Sequence, residues 1–118
     1  MSNLIDSIEK KIISGKEQRN PDLIDDAIKC ACYVLAHDDC DSVLIKAMIA
    51  LVEIGHYLKA LSYVEHIRYN TKDKILLCVI EALIQMGAFD VAECFLAKMR
   101  CGLSYYRVAT EKLLVAQA

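Results

Sequence analysis

Residues that break regular structure are scarce in this sequence of 118 amino acids, which contains four glycines, one proline and no tryptophan. Sandwiches and barrels of β-strands need frequent turns, so this scarcity argues against both. An apolar run of the roughly 20 residues that a membrane span needs is absent, and so is an apolar leader with a cleavage site. We therefore expect a cytoplasmic protein that makes no contact with a membrane.

An excess of one charge is also lacking, because 14 basic and 16 acidic residues give a formal net charge of −2. No basic run is longer than Lys10-Lys11, whereas a nucleic-acid surface needs a basic stripe. We therefore expect no nucleic acid among the partners. The sequence has no nucleophile elbow, P-loop or dinucleotide-binding glycine motif, so we expect no enzymatic activity and no cofactor.

Six cysteines are present, and Cys30, Cys32 and Cys40 lie near His37. Their spacing does not suit a zinc site, because no C-x-x-C pair occurs and helical residues two apart point about 200° from each other. We expect no metal here. The acidic cluster over 38–41 lacks the glycine and terminal glutamate of a calcium loop, so we interpret it as a turn with a helix cap.

Apolar residues, by contrast, make up 56% of the chain and recur with helical periodicity. Seven helices are predicted, over about 3–15, 21–36, 41–54, 57–69, 72–86, 88–100 and 103–116. Gly15, Gly55 and Gly87 are each expected to end a helix. Asn20 followed by Pro21 predicts a helix start with Asn20 as the cap. Other connections are expected at 16–20, 70–71 and 101–102.

An internal repeat relates two of the predicted hairpins. Residues 50–67, ALVEIGHYLKALSYVEHI, align without a gap to residues 82–99, ALIQMGAFDVAECFLAKM. The matched pairs, at an offset of 32, are Gly55 with Gly87, Tyr57 with Phe89, Ala60 with Ala92 and Val64 with Leu96. An earlier segment, 23–36, fits the same frame, with Ala27 33 residues before Ala60. Helix pairs of this kind bury their apolar faces by stacking on one another.

The pattern G-x-[YF]-x-x-A at a spacing near 34 resembles the tetratricopeptide repeat over about residues 3–100. The whole chain, most clearly 44–67 and 75–89, is similar to the YscG/PscG-type chaperones of type III secretion. This resemblance implies a single tetratricopeptide-like domain over 1–118, with about three stacked helical hairpins and a C-terminal capping helix. It also implies a bacterial cytoplasmic chaperone that sequesters a needle subunit against premature polymerisation, joined by a small helical co-chaperone in a hetero-oligomer.

The third predicted helix carries two apolar stripes, where a half-buried helix needs only one. Leu44, Ala47, Met48 and Leu51 form the stripe expected to pack; Ile45, Ile49 and Val52 lie about 100° round from it. On the fifth helix, Leu76, Val79, Ile80 and Leu83 are expected to pack, while Leu77 and Ile84 face a groove. The first helix adds Ile5 and Ile12.

We predict that these seven residues, Ile5, Ile12, Ile45, Ile49, Val52, Leu77 and Ile84, line a concave apolar groove. Such a groove suits the apolar face of an amphipathic helix, and the resembled family implies that a helix of the needle subunit occupies it. The competing interpretation is that the last helix or the N-terminal segment buries these residues, since surplus apolar residues usually belong to the core.

A generic tetratricopeptide-repeat scaffold for protein–protein interaction is the alternative function. A scaffold that grips an acidic tail needs Lys, Arg or Asn on the inner wall, where Ile45, Ile49 and Val52 stand. An RNA-binding repeat and an enzyme fit the sequence less well. Of the adjacent Tyr105 and Tyr106 in the last helix, one is expected to be exposed.

Overall fold

The structure, a computed structural model, describes residues 2–68, 71–100 and 104–118. Over these ranges the chain forms seven α-helices, one 3₁₀-helix and no strand, which confirms the expected all-α fold of helical hairpins. The helices are α1 Ser2–Glu17, α2 Pro21–Val34, α3 His37–Glu53, α4 Tyr57–Ser62, α5 Lys72–Gln85, α6 Phe89–Leu96 and α7 Ser104–Gln117, with the 3₁₀-helix Tyr63–His66 after α4.

Tertiary contacts divide the chain into two compact units, with the boundary after Ala60. In the first unit α1 packs on α2 and α3, and α2 packs on α3. In the second unit α5 packs on α6 and α7, and α6 packs on α7. The expected single domain over 1–118 stays a prediction.

Two helices end as the repeat predicts, at Gly55 and Gly87. Both glycines have positive φ, +88° and +76°, a conformation that glycine adopts without steric cost. After α3, the amide of His56 donates to the Leu51 carbonyl at 2.8 Å and that of Gly55 to Val52 at 2.9 Å. After α5, the equivalent bonds run from Ala88 to Leu83 at 2.9 Å and from Gly87 to Ile84 at 3.0 Å. Both ends are therefore Schellman motifs.

The prediction for Gly15 is wrong, because α1 continues through it to Glu17. The left-handed residue of this turn is Arg19, with φ of 53°. Its amide donates to Lys16 at 3.2 Å, and that of Asn20 donates to Gly15 at 2.8 Å, which is again the Schellman pattern. A Cβ on Gly15 would lie 2.7 Å from Cγ1 of Ile24, so this glycine allows α1 and α2 to approach closely.

These hydrogen bonds also correct the register of the first repeat. Arg19 takes the place of Gly55, an offset of 36 rather than the predicted 33. At that offset Ile24, not Ala27, corresponds to Ala60. The sequence alignment missed this because Arg19 stands where the other units have glycine.

Helix α3 begins four residues earlier than predicted, at His37. The expected turn over 38–41 is therefore the first part of a helix, in which Asp38 and Asp39 stabilise the positive end of the dipole. The Asn20 cap is confirmed, since its Oδ1 accepts from the Asp22 amide at 3.0 Å. By contrast, α4 and α6 are shorter than predicted. The expected connections at 70 and 101–102 lie outside the described residues.

The predicted packing stripes are confirmed. Leu44, Ala47, Met48 and Leu51 on α3 are buried, and so are Leu76, Val79, Ile80 and Leu83 on α5. The one buried charged group among the described residues is Asp73, 2% exposed. Its Oδ2 accepts from Nε of Arg100 at 2.9 Å, so this carboxylate is paired as burial requires.

Candidate protein-binding surface

The second apolar stripe of α3 is half-buried. Ile45, Ile49 and Val52 retain partial access to solvent, although α3 packs on both α1 and α2. This stripe is therefore not fully buried, whereas Ile12, another of the seven predicted groove residues, is only 5% exposed. The competing interpretation, in which the last helix or the N-terminal segment buries the groove residues, stays a prediction.

A cleft of about 490 Å³ lies between α1 and α3, and we call it the α1–α3 cleft. Ile12, Ile13, Ile49 and Ala50 supply its apolar lining. Ile12 is only 5% exposed and Ile13 is 55% exposed. Ile12 therefore lies at the floor of the cleft, whereas the side chain of Ile13 is accessible to a ligand in the cleft.

Two ion pairs join the rims of this cleft. Nζ of Lys46 contacts Oε2 of Glu9, and Nζ of Lys16 lies 2.8 Å from Oε2 of Glu53. Both pairs link residues 37 apart in the sequence, so α1 and α3 must run in the same direction. Exposed pairs contribute at most about 1 kcal/mol each, so these two pairs show how the helices align rather than hold them together.

A second cleft, of about 530 Å³, lies in the second unit between α5 and α7, and we call it the α5–α7 cleft. Its apolar lining includes Ile84, Val108 and Val115, of which Val115 is 77% exposed. Nζ of Lys112 lies 3.5 Å from Oε2 of Glu81 at its rim. This cleft thus repeats the combination of an apolar lining with an ion pair between its two helices.

The structure distributes the seven predicted site residues among three places. Ile12 and Ile49 meet in the α1–α3 cleft, and Ile84 lines the α5–α7 cleft. The remaining four, Ile5, Ile45, Val52 and Leu77, are half-buried outside both clefts. The continuous groove through all seven stays a prediction.

Sequence reasoning missed Ile13, Val108 and Val115. For Ile13 a signal was present, because adjacent helical residues such as Ile12 and Ile13 point about 100° apart and one narrow face cannot bury both. The same argument predicts that one of the adjacent Tyr105 and Tyr106 is exposed, and in the structure Tyr105 is exposed while Tyr106 is half-buried.

The linings of the two clefts combine apolar side chains with glutamate and lysine side chains. No three His, Cys, Asp or Glu side chains within 2–68, 71–100 and 104–118 gather into a set that could hold a metal ion. The resolved perturbation is at Cys78, where burial and then the charge of Glu81 raise the pKa of the thiol above its ordinary value. This favours the neutral thiol and a packing role.

None of the helices in the described part of the chain has the length and apolar content to cross a membrane. Comparison with known proteins gives no relative: no family model, no curated protein and no solved structure matches the chain.

Proposed function

We propose that this chain is a tetratricopeptide-like chaperone of the bacterial cytoplasm that binds a type III secretion needle subunit. The observation that carries the proposal is the α1–α3 cleft, where the exposed Ile13 and half-buried Ile49 stand together. Surface-exposed apolar residues gathered in one concavity favour protein binding over a purely structural role.

The size of the cleft supports an anchoring mode. A volume of about 490 Å³ accepts a few large side chains but not a whole helix. We therefore infer that an amphipathic helix lies across the cleft and inserts apolar side chains at helical spacing. Each fully buried Leu, Ile or Phe contributes roughly 1.5–3 kcal/mol.

Sequestration is the mechanism. A needle subunit assembles through amphipathic helices, so covering one apolar face removes the surface that drives assembly. The rim of the cleft is electrically balanced, because Lys16 and Lys46 are each paired with a glutamate. The cleft therefore favours an apolar helix as its ligand. A strongly acidic tail would have to compete with Glu9 and Glu53 for these lysines.

The small helical co-chaperone is the second proposed partner. The α5–α7 cleft, with Val115 in its lining, and the exposed Leu114 beside it offer this partner an apolar surface of its own. The alternative function remains a generic repeat scaffold, which would use the same clefts for unrelated helical ligands.

The test is co-expression with the needle subunit of the same organism, followed by size-exclusion chromatography. We expect a soluble complex, and Ile13→Asp should weaken it at least tenfold because a charge replaces an anchor contact. Ile13 is exposed, so the variant should keep its helical circular dichroism. Ile49→Asp should weaken binding as well.

Tyr33→Asp is the matched control, since Tyr33 is 92% exposed on α2 and does not line the cleft. Its affinity for the subunit should equal that of the unmodified chain. A subunit that polymerises equally with and without the chain would refute the proposed function. If Tyr33→Asp alone lost binding, the subunit would bind at a surface other than the α1–α3 cleft.

A further inference from the structure

The connection between α2 and α3 brings two thiols together. Only Leu35 and Ala36 separate the two helices, and both have extended backbone conformations. Cys32 lies in the last turn of α2 and Cys40 one turn into α3. The spacing of eight residues matches no metal or redox motif, so the pairing of these two thiols becomes visible only in the fold.

The two sulfur atoms lie 3.5 Å apart. A disulfide requires about 2.05 Å, so the two sulfur atoms have to approach each other by about 1.5 Å. Cys32 is exposed and Cys40 is half-buried, so a dissolved disulfide reagent has access to Cys32 first. No second thiol pair of this kind occurs among the described cysteines Cys30, Cys78 and Cys94.

We propose that Cys32 and Cys40 are a modification site, at which a low-molecular-weight disulfide oxidises the pair to a reversible intramolecular disulfide. The Cys32 thiolate attacks one sulfur of the reagent, forming a mixed disulfide and releasing one thiol. The Cys40 thiolate then attacks Sγ of Cys32 and releases the second thiol. In total the protein loses two protons and two electrons, and the reagent disulfide is reduced to two thiols.

The disulfide closes a nine-residue loop across the helix junction and ties the start of α3, the helix that carries Ile49, to α2. Closing the loop lowers the entropy of the unfolded chain. The expected rise in the thermal unfolding midpoint is on the order of 5–10 °C. Attack of a low-molecular-weight thiol on the bond runs the same exchange in reverse, so we infer a reversible bond. The proposal is independent of the proposed chaperone function.

The experiment equilibrates the full chain at low concentration with oxidised glutathione, then blocks remaining thiols with iodoacetamide. Intact mass should show the loss of two hydrogen atoms, and peptide mapping should join Cys32 to Cys40. Dithiothreitol should restore both the mass and the unfolding midpoint. Cys32→Ser and Cys40→Ser should each abolish the bond, whereas Cys94→Ser, a matched control at another exposed cysteine, should retain it.

Phenylarsine oxide, which bridges two neighbouring thiols, gives a second readout that needs no oxidant. We expect one equivalent to bind the unmodified chain and Cys94→Ser, but not Cys40→Ser. The proposal is overturned if glutathione remains attached to Cys32 without closure. A bond that joins Cys32 to any other cysteine, or to a second chain, overturns it equally.

Discussion

The turn after α1 and the turns after α3 and α5 have the same hydrogen-bond pattern. They differ in which of the two flanking helices carries the large side chain. After α3 and α5, the carbonyls that accept the closing bond belong to Leu51 and Leu83, and the corresponding residues of the next helix are Ala60 and Ala92. After α1 the acceptor is Gly15, and the corresponding residue is Ile24.

The difference shows that backbone hydrogen bonds define the turn, whereas the large side chain near it can belong to either of the two helices. The large residue of the equivalent pair belongs to the first helix in the two later hairpins and to the second helix in the first hairpin, where Gly15 lies close to Ile24. Packing at constant total volume is the condition that interiors impose. The left-handed position follows no such rule, and it holds Arg19 in one turn and glycine in the others.

Among substitutions of the turn glycines and Arg19, the largest expected effect is that of Gly15→Ala. Its Cβ would lie 2.7 Å from Cγ1 of Ile24 and 3.1 Å from the Asn20 carbonyl oxygen, neither of which is a flexible side-chain end. Overpacking should exceed the gain of about 1 kcal/mol in helix propensity and lower the free energy of unfolding by roughly 1–3 kcal/mol. Urea denaturation measures the change.

A double-mutant cycle with Ile24→Ala sharpens this comparison. Ile24→Ala alone should cost roughly 2–5 kcal/mol, because it opens a cavity. In that background Gly15→Ala should cost much less than it does alone, since Cγ1 is gone. Equal costs in both backgrounds would show that Gly15 is required for a reason other than its contact with Ile24.

The next effect is that of Gly55→Ala and Gly87→Ala. Nothing lies within 4 Å of a Cβ at either position, so the cost is the left-handed backbone alone, about 1–2 kcal/mol each. The two losses should be equal within error in thermal or urea unfolding. A markedly larger loss at one glycine would contradict the equivalence of the two repeats.

The smallest expected effect is a gain in stability from Arg19→Gly. Relief of the positive φ should add up to about 1 kcal/mol to the free energy of unfolding. Part of it is offset, because the guanidinium donates to the Ile54 carbonyl at 3.5 Å. Arg19→Ala is the control, since it loses the same bond and keeps a Cβ; a lower stability for Arg19→Gly than for Arg19→Ala would contradict the strain argument.

Much of the fold was predictable because it depends on local chemistry. The ends at Gly55 and Gly87, the Asn20 cap and the packing stripe of α3 all follow from residues within one or two helical turns of each other. The errors have a common origin. Gly15 and the acidic start of α3 each fit two local structures, and the sequence could not decide between them.

The candidate surface was predictable to a lesser degree. The half-burial of Ile49 follows from two apolar stripes on one helix, but its neighbour Ile13 depends on how α1 and α3 align. The pairs of Lys16 with Glu53 and Lys46 with Glu9 mark that alignment, which no local sequence pattern reveals.

The sequence by itself determined the helical content, the repeated helix ends and the apolar faces, because each arises from neighbours along the chain. Only the tertiary structure decided which surfaces meet: the parallel course of α1 and α3, the exchange of volume between Gly15 and Ile24, and the approach of Cys32 to Cys40. These depend on where one helix lies against another, and helical periodicity gives the faces of a helix but not the partner or the register of its packing.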